Sequence, residues 1–275
     1  MLEQKLLIIK PKKGWQLINF RELLGYRDLF YFLVNRDIKV RYKQTILGGL
    51  WAIIQPFFMM IVFSLFFGKL AKMPSDGIPY PIFNYAAMVP WVYFATAIAN
   101  SGNSLIGNTN LISKVYFPRL IVPITPVLAG LLDFLIAFVV LIGMMLWYSI
   151  YPTMMTFLFP LLVFLMILSA SGVGMVLSAL NAKYRDIRYT IPFIVQFWMF
   201  ASPIVYPSSM IPEQYRIWYG LNPMAGVIEG FRSILLGSIP FPTGMIILSV
   251  VVSVILFLAG MFYFRQTERF FADII

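Results

Sequence analysis

Apolar residues in this chain collect into six runs, at 47–67, 82–106, 124–148, 156–180, 191–206 and 244–264. Five of them are 21–25 residues long. A helix rising 1.5 Å per residue needs about 20 apolar residues to cross a hydrocarbon layer of ~30 Å. The run at 191–206 has 16 residues and reaches roughly 24 Å, short for a span. The pattern predicts an all-α integral membrane protein with six transmembrane helices. A polar, basic lead-in occupies 1–46, the spanning body 47–264 and a tail 265–275. Because the polar lead-in precedes the first span, no cleavable signal is expected.

Two segments outside the spans have patterns of their own. In the lead-in, Tyr26, Leu29, Phe30, Leu33 and Val34 recur at helical spacing, with Arg27, Asp28, Asn35 and Arg36 elsewhere on the wheel. That spacing predicts an amphipathic helix. Its basic residues, among them Arg36, Lys39 and Arg41 beside Tyr42, suit the inner membrane interface. A plain topological anchor and a belt that moves with a cytoplasmic partner both remain open. At 207–243 the chain is apolar yet interrupted by Pro207, Pro212, Pro223, Pro240 and Pro242. Irregular backbone at membrane depth is tolerated only under protein cover or against a wet cavity. The segment predicts a re-entrant helical hairpin before the last span, turning near Gly220 to Pro223. Its candidate outer-gate residues are Tyr219, Asn222, Pro223, Glu229 and Arg232, and the last two can pair at i, i+3. An ordinary outer loop carrying a surface helix is the alternative.

Charge placement orients the spans. The chain carries a net charge of +10, which could suggest nucleic acid. Yet 17 of its 21 lysines and arginines fall on the side of the two termini and four on the other. The positive-inside rule then makes the termini cytoplasmic, and the basic balance reads as topology, with no nucleic-acid partner. Composition narrows the chemistry further. The chain is 60% hydrophobic and 12% charged, with no cysteine and no histidine. Disulfides, thiol nucleophiles, imidazole bases and Cys/His metal sites are excluded. Gly68-Lys69-Leu70 has neither the spacing nor the hydroxyl of a phosphate-binding loop. No catalytic residue, metal site or bound cofactor is expected.

Polar residues inside the spans are the remaining signals. Thr96, Asn100, Asn103, Ser104 and Gly107 share one helical face, which should meet another helix or a wet path. Ala170, Gly174 and Ser178 form a small-xxx-small ridge suited to close packing. Asp133 is the one acid well inside a span. With no ionisable companion in any span, it is expected to make a structural hydrogen bond within the bundle and not to serve a proton relay. The aromatic excess, 17% of the chain, suits both membrane interfaces and a path for sugars, whose flat C–H faces pack on rings. Trp91, Tyr93, Phe94, Phe197, Trp198 and Phe200 are channel candidates beside Asn100 and Asn103.

The run Arg36-Asp37-Ile38-Lys39-Val40-Arg41-Tyr42-Lys43-Gln44-Thr45, followed by Leu47-Gly48, Trp51 and Gln55-Pro56, resembles the opening of the polysaccharide-exporting ABC permeases. These are the type-2 exporter membrane subunits for O-antigen, capsule and teichoic acid. Asn222-Pro223-Met224 with Glu229, Phe231 and Arg232, and Glu268-Arg269-Phe270-Phe271-Ala272-Asp273, are similar to the same family. The resemblance implies a homodimer that binds two copies of a nucleotide-binding ABC ATPase subunit, with ATP and Mg2+ held by that partner. It implies outward movement of a lipid-linked glycan, foremost the O-antigen of lipopolysaccharide, across the bacterial cytoplasmic (inner) membrane. It also implies that the loop Asn108 to Arg119 couples to the ATPase, through Asn110, Ser113, Lys114, Tyr116 and Arg119. Two other readings stay open on the residues alone. One is a drug or lipid exporter. The other is a polyprenyl-lipid membrane enzyme, which would need carboxylate clusters for metal and phosphate.

Overall fold

A computed structural model describes residues 24–43, 48–184, 186–237 and 239–268. The start of the lead-in, Gln44, Thr45 and Leu47 of the opening run, Arg185, and the tail from Arg269 onward lie outside the described residues. Every long element among those described is a helix. In chain order these are α1 (Arg27–Lys43), α2 (Trp51–Phe63), α3 (Tyr80–Gly107), α4 (Thr109–Lys114), α5 (Ile121–Ala129), α6 (Leu131–Trp147), α7 (Phe159–Lys183), α8 (Ile187–Phe200), α9 (Glu213–Tyr219), α10 (Pro223–Leu236) and α11 (Thr243–Thr267).

Five stretches are long and apolar enough to cross a membrane: Gly48–Leu70, Tyr80–Gly107, Ile121–Trp147, Met154–Lys183 and Thr243–Thr267. They agree with five of the six apolar runs to within a few residues. The run 191–206 differs. Its helix α8 covers Ile187–Phe200, 14 residues, and the backbone then leaves helical geometry through Tyr206. Pro203 has no N–H to donate and its ring crowds the preceding turn, so the helix ends just before it. The expected helix pair in 207–243 is present as α9 and α10, joined by Gly220–Asn222.

The centre of the molecule is α3, packed against α7 and α10, with α11 on the far side against α7 and α10. Small residues set these approaches. A Cβ on Gly174 would come within 2.3 Å of Ser101 Oγ, and one on Gly260 within 2.3 Å of the Gly172 carbonyl. Those contacts let backbones meet where lipid offers no hydrophobic drive to pack helices. Hydroxyls bind across the same seams, with Ser104 3.2 Å from Ser178 and Ser169 2.8 Å from Ser253. The expected ridge at Ala170, Gly174 and Ser178 is therefore a packing surface. The first span is different: 11% of its most apolar stretch is buried, against 78% for α3. Its C-terminal end widens into π-helical turns over Ser64–Leu70, a rare geometry.

Candidate functional site: a cavity, an exposed loop and a buried arginine

Helix α1 lies over one end of the spans. Leu33 is buried with Ile112, Phe117, Leu120 and Ile121, and Tyr26, Leu29 and Phe30 pack beside it. This is the apolar face expected from the spacing; Tyr31 and Phe32 on the other side stay exposed. Polar contacts then fix the helix at two points. Arg36 Nη2 donates to Asn108 Oδ1 at 2.8 Å, just before α4, while also pairing with Asp37. Arg41 and the Tyr42 hydroxyl both donate to the carboxylate of Asp133. Lys39 is exposed.

The Asp133 contacts correct an expectation. Its companions, Arg41 and Tyr42, come from α1 and not from a span. Gly130 separates α5 from α6, placing Asp133 in the first turn of α6, within reach of α1. Burial, together with the hydrogen bond to Asp133, pushes the Tyr42 hydroxyl well above the usual tyrosine range. Tyr42 therefore stays a protonated donor at any ordinary pH, and the carboxylate keeps two donors.

This cluster forms the wall of a cavity of about 250 Å³ between α1, α2, α3 and α6. Trp51 and Gln55 contribute from the first span, Thr96, Asn100 and the Tyr93 ring from α3, and Asp133 and Phe134 from α6. The polar face of α3 thus divides. Thr96 and Asn100 line the cavity, whereas Asn103 accepts from Asn181 at 3.1 Å and Ser104 packs on Ser178. The other aromatic candidates separate as well. Trp91 and Phe94 are buried within the chain, with Phe94 edge-on to Trp198 at 5.1 Å. Phe197 and Phe200 point outward. Gln55 and Trp51 carry a signal that sequence reasoning used only as a motif: an amide inside an apolar helix needs a polar neighbour.

The loop after α3 is short and two-sided. Ile112 is buried, while Asn110, Ser113, Lys114, Val115 and Tyr116 are exposed. Arg119 turns the other way, and its guanidinium donates to the Glu268 carbonyl at 2.9 Å, tying the loop to the end of α11.

On the opposite side, α10 is buried along its whole length. Its polar residues complete the backbone that α8 abandons. Arg232 donates to the carbonyls of Pro203 (2.6 Å), Ile204 (2.7 Å) and Phe83 (3.2 Å), pairs with Glu229 at 2.9 Å, and lies 3.5 Å over the Phe83 ring. Glu229 accepts from the Ser208 N–H. Asn222 caps α10 by accepting from the Met224 N–H and donates to the Ala201 carbonyl and Ser202 Oγ. The Trp198 indole donates to the same Asn222. Pro223 opens α10 at a position where its missing N–H costs nothing. Tyr219 is 2.6 Å from Tyr206 through their hydroxyls. Tyr219, Asn222, Glu229 and Arg232 thus meet around one irregular segment, and Pro223 opens the helix beside it. The segment's carbonyls have no helical partner, and buried backbone polar groups must be paired.

Comparison with known proteins matches residues 28–236 to the ABC-2 type transporter family. The chain is 28% identical to the O-antigen export system permease protein RfbA of Myxococcus xanthus, over 91% of this chain and 96% of that one. It is 29% identical to the protein of the same name from Klebsiella pneumoniae, over 94% and 99%. It is 26% identical to the polysialic acid transport protein KpsM of Escherichia coli, over 72% and 77%. The family match spans well over half the chain, including the cavity, the loop after α3 and all of α10. With its apolar crossing helices, this multi-pass membrane protein belongs to the ABC-2 type transporter family.

Proposed function

We propose that the chain is the membrane permease subunit of an ATP-driven exporter that moves a lipid-linked polysaccharide outward across the bacterial cytoplasmic membrane. The observation that carries this reading is the nearly end-to-end likeness to two O-antigen export permeases. In this reading O-antigen is the leading cargo. The sequence holds no phosphate-binding loop, so ATP and Mg2+ go to a separate nucleotide-binding subunit, present in two copies beneath a permease homodimer. The exposed Lys114, Val115 and Tyr116 are the seat for that partner. Arg36, through Asn108, carries its movement to the interface helix.

The reading also assigns a topology. Helix α8 and the irregular residues after it make the sixth crossing, and both termini are cytoplasmic by the lysine and arginine count. The pair α9–α10 re-enters from the outer side. The turn at Gly220 bonds Ser249 of α11, whereas the far end of α10 bonds Thr153 in an inter-span loop. In cells lacking the chain, lipid-linked glycan should accumulate on the cytoplasmic face and be missing outside. Re-expression with the ATPase subunit should restore surface glycan. Surface glycan unaffected by the deletion would refute the reading.

A further inference from the structure

We infer that the cavity bounded by α1, α2, α3 and α6 is a binding subsite for a single neutral sugar ring. The inference rests on the export reading only for its physiological ligand. At about 250 Å³ the cavity lies below the roughly 300–1,000 Å³ of clefts that take drug-sized ligands, so it suits one ring and not a polymer. Its wall offers a carboxylate acceptor at Asp133, held beside the Arg41 guanidinium. The amides of Gln55 and Asn100 can both donate and accept, and the rings of Trp51 and Tyr93 stand beside them. Vicinal hydroxyls are donors and acceptors at once, so they need this mixture; the C–H face of a sugar packs on the negative face of a ring.

Charge discriminates among ligand classes. Asp133 sits against Arg41, so the wall is close to neutral, and a phosphate brought to Arg41 would meet the carboxylate. One carboxylate is too few for a divalent cation, and an acyl chain would strand the amides. Gln55 and Asn100 are exposed and make no hydrogen bond to any other described residue, so their amides stand open to ligand hydroxyls.

The test uses the full chain with its ATPase partner in lipid nanodiscs. Methyl glycosides of the gluco, galacto and manno series and, separately, inorganic pyrophosphate are titrated by saturation-transfer NMR. At least one glycoside should bind saturably, with Kd on the order of millimolar. Gln55→Leu and Asn100→Leu should each weaken it at least tenfold. Phe58→Leu, on the exposed side of the same span, should leave it unchanged. Each variant is first checked for an unaltered melting temperature, and Asn100→Ala replaces Asn100→Leu if that variant is unstable. No saturable glycoside binding, binding that survives both cavity variants, or pyrophosphate binding that the variants abolish would each overturn the inference. Glycan export by the wild-type complex is measured alongside. Export without glycoside binding sinks the cavity inference alone, and cavity binding without export sinks the export reading alone.

Discussion

Two arginine–carboxylate pairs stand toward opposite ends of α3, and their surroundings differ. Arg232 and Glu229 have side-chain exposures of 0% and 1%, and the guanidinium is used up by carbonyls of the broken backbone. Arg41 and Asp133 are 28% and 23% exposed and face a cavity. The outer pair is a staple: it satisfies backbone that no helix satisfies. The inner pair links a surface helix to a span while leaving room beside it. The same chemistry serves folding in one place and an open wall in the other, and burial decides which.

Removing one partner tests that difference most sharply at the outer pair. Arg232→Leu strands Glu229 and the carbonyls of Pro203 and Ile204 in a dry interior. Breaking a buried pair in this way costs about 3–5 kcal/mol, so the variant should give little monodisperse protein and a much lower melting temperature in detergent. Glu229→Gln should be milder, since its amide oxygen still accepts from Ser208 and Arg232. Near-normal melting of Arg232→Leu would show that the irregular segment needs no staple.

On the inner side, function should fail without loss of stability. Replacing Lys114, Val115 and Tyr116 with Gly-Ser-Gly removes only exposed side chains. Glycan export should fall at least tenfold while membrane insertion and melting stay normal. Export at the wild-type level, at equal expression, would place coupling elsewhere.

Smaller still is the expected effect at the inner pair itself. Asp133→Asn keeps an acceptor for Tyr42 and removes the charge beside a partly exposed arginine. Such pairs contribute roughly 0–1 kcal/mol, so the melting temperature should barely move, while export drops severalfold because the cavity wall loses its carboxylate acceptor. A stability loss matching Arg232→Leu would erase the distinction between the two pairs.

How far the sequence revealed these regions depends on the range of the interactions. Five spans were legible because apolar length is a local property, and the i, i+3 pairing of Glu229 with Arg232 was readable on one helix. The end of α8 at Phe200 was not, because Pro203 lies inside an apolar run and only the distant Arg232 and Asn222 supply partners for the irregular backbone beyond it. The pairing of Asp133 with Arg41 joins residues 92 apart in sequence, which no periodicity reports. Phe94 and Trp198 could be named as aromatics, but their burial against each other depends on how α3 meets α8. Gln55 stands in a motif with no role legible from its neighbours, because its cavity exists only once α1, α2, α3 and α6 have come together.

The last prediction probes the depth of the outer turn without disturbing either pair. Leu221, between α9 and α10, is 55% exposed in the isolated chain. Its neighbour Gly220 is unsuitable, as a Cβ there would come within 2.5 Å of the Met245 carbonyl. Met245 and Ser249 lie in the first two turns of α11, and Ser249 Oγ donates to the Gly220 carbonyl at 3.1 Å, so the turn is held beside a helix that enters the membrane. The chain has no cysteine, so a single introduced thiol reacts without background. In intact right-side-out membranes, Leu221→Cys should react at least tenfold more slowly with a membrane-impermeant maleimide than Pro74→Cys, which sits in the exposed loop before α3. Unfolding in denaturing detergent should equalise the two rates. Equal rates in intact membranes would put the turn in water and end the re-entrant topology. The Arg232 staple would survive that result, because its contacts are to protein and do not depend on lipid.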